Sequence, residues 1–285
     1  MQRKICAVLY AILYAVLMLF LAGFVSSDRI LRLADKSVQA VPAVLKELAD
    51  ARLVFVGEFH DNQDHHAAQL LIIQGLKGMG RAVAIGLEMF EAGQQQYLDK
   101  WTTGEIAPEE FVKIYYDNWR MPWPLYKDIF FYARDKRIPM VGLNVPAGIV
   151  NQIARRGFAS LSGEQLANLP GVSCEIDETY ENLIRRVLRG HYGHADKLNK
   201  NFKNFCEAQL TWDSAMAWHL IKFLDRHPDL TVVVLAGGSH AWKHGIPAQI
   251  RRRSQYSFKV ILPESDGLAR GEVSGDEADY LWLGL

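Results

Sequence analysis

Three cysteines in 285 residues are too few for a disulfide scaffold or a cysteine-based zinc finger. There is no excess of either charge, since Lys plus Arg and Asp plus Glu both total 32. That balance excludes a strongly basic nucleic-acid binder and an acidic tail protein. Repeats and low-complexity stretches are absent. So are the phosphate loop, Gly-x-Gly-x-x-Gly and the Gly-x-Ser-x-Gly elbow, and with them the sequence signatures of nucleotide cradles and serine-elbow hydrolases. What is present is ordinary for a globular chain: 49% apolar and 22% charged residues.

Long apolar runs are also scarce, with one exception. Arg3 and Lys4 precede a run from Ile5 to Val25 that carries no charge. As a helix it spans roughly 31 Å, enough for a hydrocarbon core of about 30 Å. Residues 1–27 are therefore expected to form a hydrophobic helix, either a signal anchor or a long signal peptide. Val25-Ser26-Ser27 offers small residues for cleavage. The leading positive charges put the N-terminus inside and the rest of the chain outside the cytoplasm.

Residues 28–285 are expected to form one α/β domain. Leu53–Gly57, Ala82–Leu87, Ile138–Leu143, Leu230–Ala236 and Ser257–Leu262 read as buried strands, with helical patterns between them. Near-continuous apolar strands separated by helices predict a mostly parallel sheet flanked by helices. Gln94–Arg137 is rich in aromatic residues, a pattern typical of core. The stretch from about 146 to 225 looks wholly helical and is expected to form a smaller helical lobe. Cys174 and Cys206 fall in it and could pair outside the cytoplasm.

In an open parallel sheet, ligands bind beyond the carboxyl ends of the strands. The residues there are Gly57-Glu58-Phe59-His60 after the first strand and Glu88 at the end of the second. Asn144 follows the third, and Gly237-Gly238-Ser239-His240 the fourth. Each residue alone has a bland reading as a cap or a structural ion pair. Together, His60, Glu88 and His240 are competent to hold a divalent metal, leaving a water as nucleophile. Glu58, His60, Glu88 and His240 are the candidate catalytic set, with Asn144 on the rim. His65 and His66 are adjacent on a helix and point apart, so they do not readily share one ion. His191-Tyr192-Gly193-His194 reads either as a solvated helix junction or as a source of ligands. Arg251-Arg252-Arg253 reads as a solvated helix C-terminus, favourable to the helix dipole.

Five separated segments occur in order: VGEFHDNQDHHAAQ (56–69), GLEMFEAGQQQYLDKW (86–101), IPMVGLNVP (138–146), AQLTWDSAMAWHL (208–220) and VVVLAGGSHAWKHGIPAQI (232–250). They resemble the ChaN-like haem-binding lipoproteins of the Tiki/TraB/erythromycin-esterase superfamily, over roughly Val54 to Leu262. The resemblance implies a parallel αβ domain with a smaller helical part, and extracytoplasmic, iron-regulated haem binding. It also implies a tyrosine iron ligand and a homodimer around paired haems. The superfamily's two Gly-x-x-His motifs and Glu match Gly57–His60, Gly237–His240 and Glu88. In peptidase members these are thought to hold a metal. The tyrosine is open among Tyr115, Tyr116, Tyr126, Tyr180 and Tyr192, and Tyr192 with His191 is the assigned haem-contacting pair. One feature departs from the lipoprotein pattern: Phe24 follows Leu21-Ala22-Gly23 where a lipidated cysteine belongs, so any membrane attachment falls to the leader helix. The function expected is haem handling, and the alternative is metal-dependent hydrolysis of a peptide or ester.

Overall fold

The computed structural model describes residues 29–169, 171–172, 174–192, 201–264, 271 and 273–285. The expected leader helix lies outside them. Among the described residues no helix is long and apolar enough to cross a membrane.

The chain opens with β1 (Arg29–Arg32), β2 (Val38–Ala40) and α1 (Val41–Leu48). β3 (Leu53–Glu58) and α2 (Gln63–Gly78) follow, then β4 (Val83–Glu91). Three helices come next: α3 (Gln95–Thr103), α4 (Pro108–Asn118) and α5 (Trp123–Asp135). After β5 (Met140–Asn144) run α6 (Ala147–Arg156), α7 (Gly163–Ala167), α8 (Glu178–Tyr192) and the long α9 (Phe202–Arg226). β6 (Thr231–Gly237), α10 (Gly238–Ala241), α11 (Ile246–Arg253), β7 (Phe258–Pro263) and β8 (Tyr280–Leu283) complete the fold.

Among the described residues, eight strands form one mixed sheet in the order β2-β1-β8-β7-β3-β6-β4-β5. The run from β8 to β5 is parallel, and β1 pairs antiparallel with both β2 and β8. All five strands expected from sequence are present. The three strands at one end of the sheet, β2, β1 and β8, were not foreseen. They are short, and polar residues break the apolar runs of β1 and β2.

Every residue of β3 and β6 is buried. Successive strand residues face opposite sides. Val54, Val56, Val233 and Leu235 join one apolar cluster with Ile72, Ile73, Leu76, Trp101, Phe111 and Phe130. Leu53, Phe55, Val232, Val234 and Ala236 join a second with Met216, Leu220, Leu224, Ile246 and Ile250. Helices α2 to α5 thus cover one face, and α9 and α11 the other. The aromatic stretch from Trp101 to Tyr132 is core: Trp101 stacks on Phe111 with ring centroids 4.2 Å apart, and its indole N–H donates to the Phe130 carbonyl at 2.8 Å.

Among its described residues the segment from 146 to 225 holds helices joined by loops and no strand. Its last helix, α9, packs on the sheet itself, while α6 and its neighbours form a small satellite core (Val150, Ile153, Leu161, Leu169) against Ala208 and Ala215 of α9. Cys174 and Cys206 are free thiols, and burial pushes both up to about 12.

Candidate functional site: two hydrogen-bonded relays meeting at one carboxylate

The loop after β3 is fixed before any ligand arrives. Asn62 caps α2, its side-chain oxygen accepting from the amides of Asp64 (2.9 Å) and His65 (3.4 Å). The His65 Nδ1 accepts the Phe59 amide at 2.9 Å. Burial and the neighbouring His66 push His65 down to about 4, so it stays neutral and serves as a loop clamp. The two Gly-x-x-His segments pack on one another, since a Cβ on Gly57 would lie 3.4 Å from both the Ala241 Cβ and the Gly238 Cα. The same Cβ would meet the Leu262 side chain of β7 at 2.7 Å, so a larger residue at 57 would have to displace that side chain.

This arrangement aims His60 across the sheet edge. Its Nδ1 lies 2.7 Å from Glu58 Oε1, at the end of β3. The same oxygen accepts the Tyr126 hydroxyl of α5 at 2.6 Å, and Glu58 Oε2 accepts the Gln69 amide of α2 at 2.7 Å. The His66 Nε2 lies 3.4 Å from that second oxygen. Burial pushes the Glu58 carboxyl up, but the His60 and His66 contacts outweigh it and hold it well below the usual carboxylate range. Tyr126, Glu58 and His60 thus form one relay. Its imidazole presents Nε2 toward β6, and a Cβ on Gly237 would sit 3.2 Å from that nitrogen and 3.6 Å from Glu88 Oε2.

A second relay approaches from the other side. His240 Nδ1 lies 2.6 Å from Asp213 Oδ1 of α9, and Asp213 Oδ2 accepts the Tyr180 hydroxyl of α8 at 2.6 Å. His240 Nε2 then faces Glu88 Oε1 at 3.9 Å. Burial pulls the His240 pKa down, but the charges of Asp213 and Glu88 and the Asp213 hydrogen bond outweigh it and raise it to about 9. Burial raises Asp213 above the ordinary aspartate value, and His240 and Tyr180 pull it only partly back.

Glu88 stands where the relays meet. β4 runs on to Glu91, so Glu88 lies within the strand and not at its end. The β4–β5 pairing slips register between Leu87 and Glu91, which places Glu88 on the irregularity. Its Oε2 accepts the Gly237 amide at 2.6 Å, and its carbonyl accepts the Asn144 side-chain amide at 2.7 Å. Glu58, His60, Glu88, Asn144 and His240 thus gather at the carboxyl-terminal side of β3, β4, β5 and β6, with Glu88 inside its strand. Asp213, Tyr180 and Tyr126, which complete the relays, were not foreseen.

The expected metal set does not form. Among the described residues no group of three or more His, Cys, Asp or Glu side chains is placed to hold an ion. Each donor has one partner: Glu58 takes Nδ1 of His60, Asp213 takes Nδ1 of His240, and Gly237 takes Oε2 of Glu88, which leaves both Nε2 atoms and Glu88 Oε1 facing the space between the relays.

For haem, the donor chemistry narrows the tyrosines. Tyr115, Tyr126 and Tyr180 are buried, and their hydroxyls donate to the Met121 carbonyl, Glu58 and Asp213. Burial and neighbouring carboxylates hold all three far above the ordinary tyrosine pKa, so none is suited to become an iron-bound phenolate. Tyr116 is exposed, and its oxygen accepts the Trp123 amide. Tyr192 and His191 close α8, and their side chains lie outside the described ones. Arg251–Arg253 do form the last turn of α11, with Arg252 paired to Asp177.

The family model described as "Haem-binding uptake, Tiki superfamily, ChaN" matches residues 44–250. The chain belongs to this family. Its fold is shared with ChaN of Campylobacter jejuni, solved with cofacial haem, at a TM-score of 0.72 and 22% identity over 90% of this chain and 96% of that one. Remoter likenesses are an erythromycin esterase, EreC (TM-score 0.48, 15% identity, 78% and 72% coverage), and the type III effector HopBA1 (0.48, 12%, 85% and 93%). No curated protein matches the sequence.

Proposed function

We propose that this ChaN-family chain binds haem outside the cytoplasm, as part of haem or iron uptake, with residues 1–27 exporting or anchoring it. Membership of the haem-binding uptake family over residues 44–250 carries the reading. Tyr192 supplies the iron ligand, with His191 beside it. The withdrawal of Tyr115, Tyr126 and Tyr180 into interior hydrogen bonds supports that choice, because a phenolate donor must be free to lose its proton. When bound, haem would supply iron chemistry that the residues holding it would tune. The chain's own contribution is the phenolate and a surface that shields the porphyrin. The cofacial haem arrangement of the Campylobacter jejuni protein supports a homodimer in which two chains bring their haems together.

Titrating the full-length chain with haemin tests this. The expected result is stoichiometric binding with a tyrosinate-type absorption spectrum, lost in Tyr192→Phe and kept in Tyr126→Phe. An unchanged haemin spectrum at micromolar protein removes the function. Loss in Tyr126→Phe with retention in Tyr192→Phe moves the ligand to the interior.

A further inference from the structure

Two clefts open between the start of α8 and the end of α11. The first, about 380 Å³, is walled by Glu175, Ile176, Asp177, Arg252 and Arg253. The second, about 280 Å³, shares Asp177 and Arg252 and adds Thr179, Tyr180, His244, Ala248 and Arg251. We propose that the second cleft is a binding site for a small organic acid, one carboxylate carried on a short apolar or aromatic body.

Three guanidiniums crowd one helix end. Arg251, Arg252 and Arg253 are consecutive in the last turn of α11. Successive helical residues are turned by about 100°, so the three side chains fan out and cannot share one counter-ion. Among the described residues, Asp177 is the carboxylate within ion-pairing distance of them, and it pairs with Arg252. Arg253 turns back on its own helix and donates to Gln249 Oε1 at 3.1 Å. Burial and the neighbouring Arg252 lower its pKa, as expected of a cation short of counter-charge. Arg251 donates to the Lys243 carbonyl at 3.4 Å and lies over the Phe258 ring. A guanidinium has five N–H donors, so Arg251 keeps most of its fork for a ligand.

Asp177 is committed on both oxygens. Its Oδ1 accepts the Tyr180 amide at 2.8 Å, capping α8, and its Oδ2 takes Arg252. In the second cleft two guanidiniums therefore stand against one carboxylate. The surplus is a single positive charge, which a monoanion cancels and a phosphate dianion overshoots. The planar guanidinium fork also matches the two oxygens of a carboxylate. Thr179 adds a hydroxyl from the first turn of α8, and the positive end of that 15-residue helix favours an anion beside it.

The body of the ligand follows from the remaining wall. Tyr180, 4% exposed, and Ala248 present ring and methyl surface, with the half-buried His244 at their side. The volume lies below the range of about 300–1,000 Å³ that takes drug-sized ligands, so the body is limited to a few carbons or one ring. A solvated helix terminus accounts for basic residues in a last turn. It does not account for a concave surface in which two of them meet the amino end of a second helix.

The cleft is separate from the proposed iron ligand. Tyr192 closes α8, twelve residues after Tyr180 and roughly 18 Å farther along the helix axis. The cleft is joined to the second relay instead. Tyr180 donates its hydroxyl to Asp213, which holds His240, so an occupant against Tyr180 sits two hydrogen bonds from that imidazole.

Ligand-observed NMR titration of the full-length chain with benzoate, its neutral isostere benzamide and inorganic phosphate tests the site. We expect saturable binding of one benzoate per chain, none of benzamide, and phosphate weaker than benzoate. Arg251→Gln and Arg252→Gln should each raise the benzoate Kd by about 10–100-fold, the loss expected for a hydrogen bond to a charged group. Asp177→Asn keeps the oxygen that caps α8 and removes the competing charge, so benzoate should bind several-fold tighter. A gain of affinity is not what a damaged fold produces. Benzoate binding that does not saturate, benzamide binding of equal strength, or a Kd unchanged in the Arg251→Gln/Arg252→Gln double variant overturns the proposal. So does phosphate that binds more tightly than benzoate, or an Asp177→Asn chain that gains nothing.

Discussion

Replacing Asp213 by Asn removes the charge that keeps His240 protonated while leaving the shape of the side chain nearly intact. In the native protein His240 holds its proton up to about 9; in the unfolded chain an ordinary histidine releases it near 6.5. The folded state therefore binds the proton more tightly. The stabilisation from this proton is complete below the unfolded value and is lost as pH rises through the folded one. Each pH unit between the two values is worth about 1.4 kcal/mol, so the protonated pair contributes roughly 3 kcal/mol that disappears between about pH 6.5 and 9. In Asp213→Asn, burial still penalises the imidazolium and its main opposing charge is gone. His240 then titrates lower, and most of that slope vanishes. Urea unfolding of both proteins at several pH values from 5.5 to 9.5 measures the difference directly. A wild-type stability that stays flat across the window, or an Asp213→Asn curve with the same slope as wild type, refutes the reasoning.

Tyr180→Phe deletes the hydroxyl that Asp213 accepts at 2.6 Å in the interior. Losing a hydrogen bond to a charged buried group costs about 1.5–3 kcal/mol, which thermal unfolding reads as a drop of roughly 3–12 °C; no change would mean that the carboxylate finds another donor. Trp101→Ala removes a fully buried indole that stacks on Phe111 and donates to the Phe130 carbonyl. It should cost about 3–5 kcal/mol in the same assay, and a loss under about 1 kcal/mol would contradict its place in the core.

The parallel strands were legible because both their faces are buried: β3 and β6 leave no polar position until their ends. β1, β2 and β8 were not, because strands of three or four residues set no period. The sheet edge was legible for the same reason that strand ends are. Polar residues after apolar runs at Glu58, His60, Glu88 and His240 stand out in the sequence. The second layer was hidden inside helices. Asp213 sits on the buried face of α9 between Thr211 and Ser214, with Glu207 also buried, so nothing in the sequence marks it out from other polar residues of that helix. Tyr126 and Tyr180 gave no signal either, since a tyrosine among aromatics or at a helix start reads as packing. Sequence shows which donors gather at an edge and not how they are spaced; among the described residues no group of three or more is placed to hold an ion.

The second relay takes Tyr180 from α8, Asp213 from α9 and His240 from α10, and it meets a carboxylate from β4. The first adds Glu58 and His60 from the opposite end of the sequence and Tyr126 from between. No contiguous fragment shorter than residues 58–240 contains both. The helices after β5 are thus not an exchangeable module. A homologue that trades α8 or α9 for another helix keeps its sheet but leaves His240 without its proton holder. Attempts to reduce this protein to a minimal working fragment have a lower limit set by hydrogen bonds, not by the size of the core.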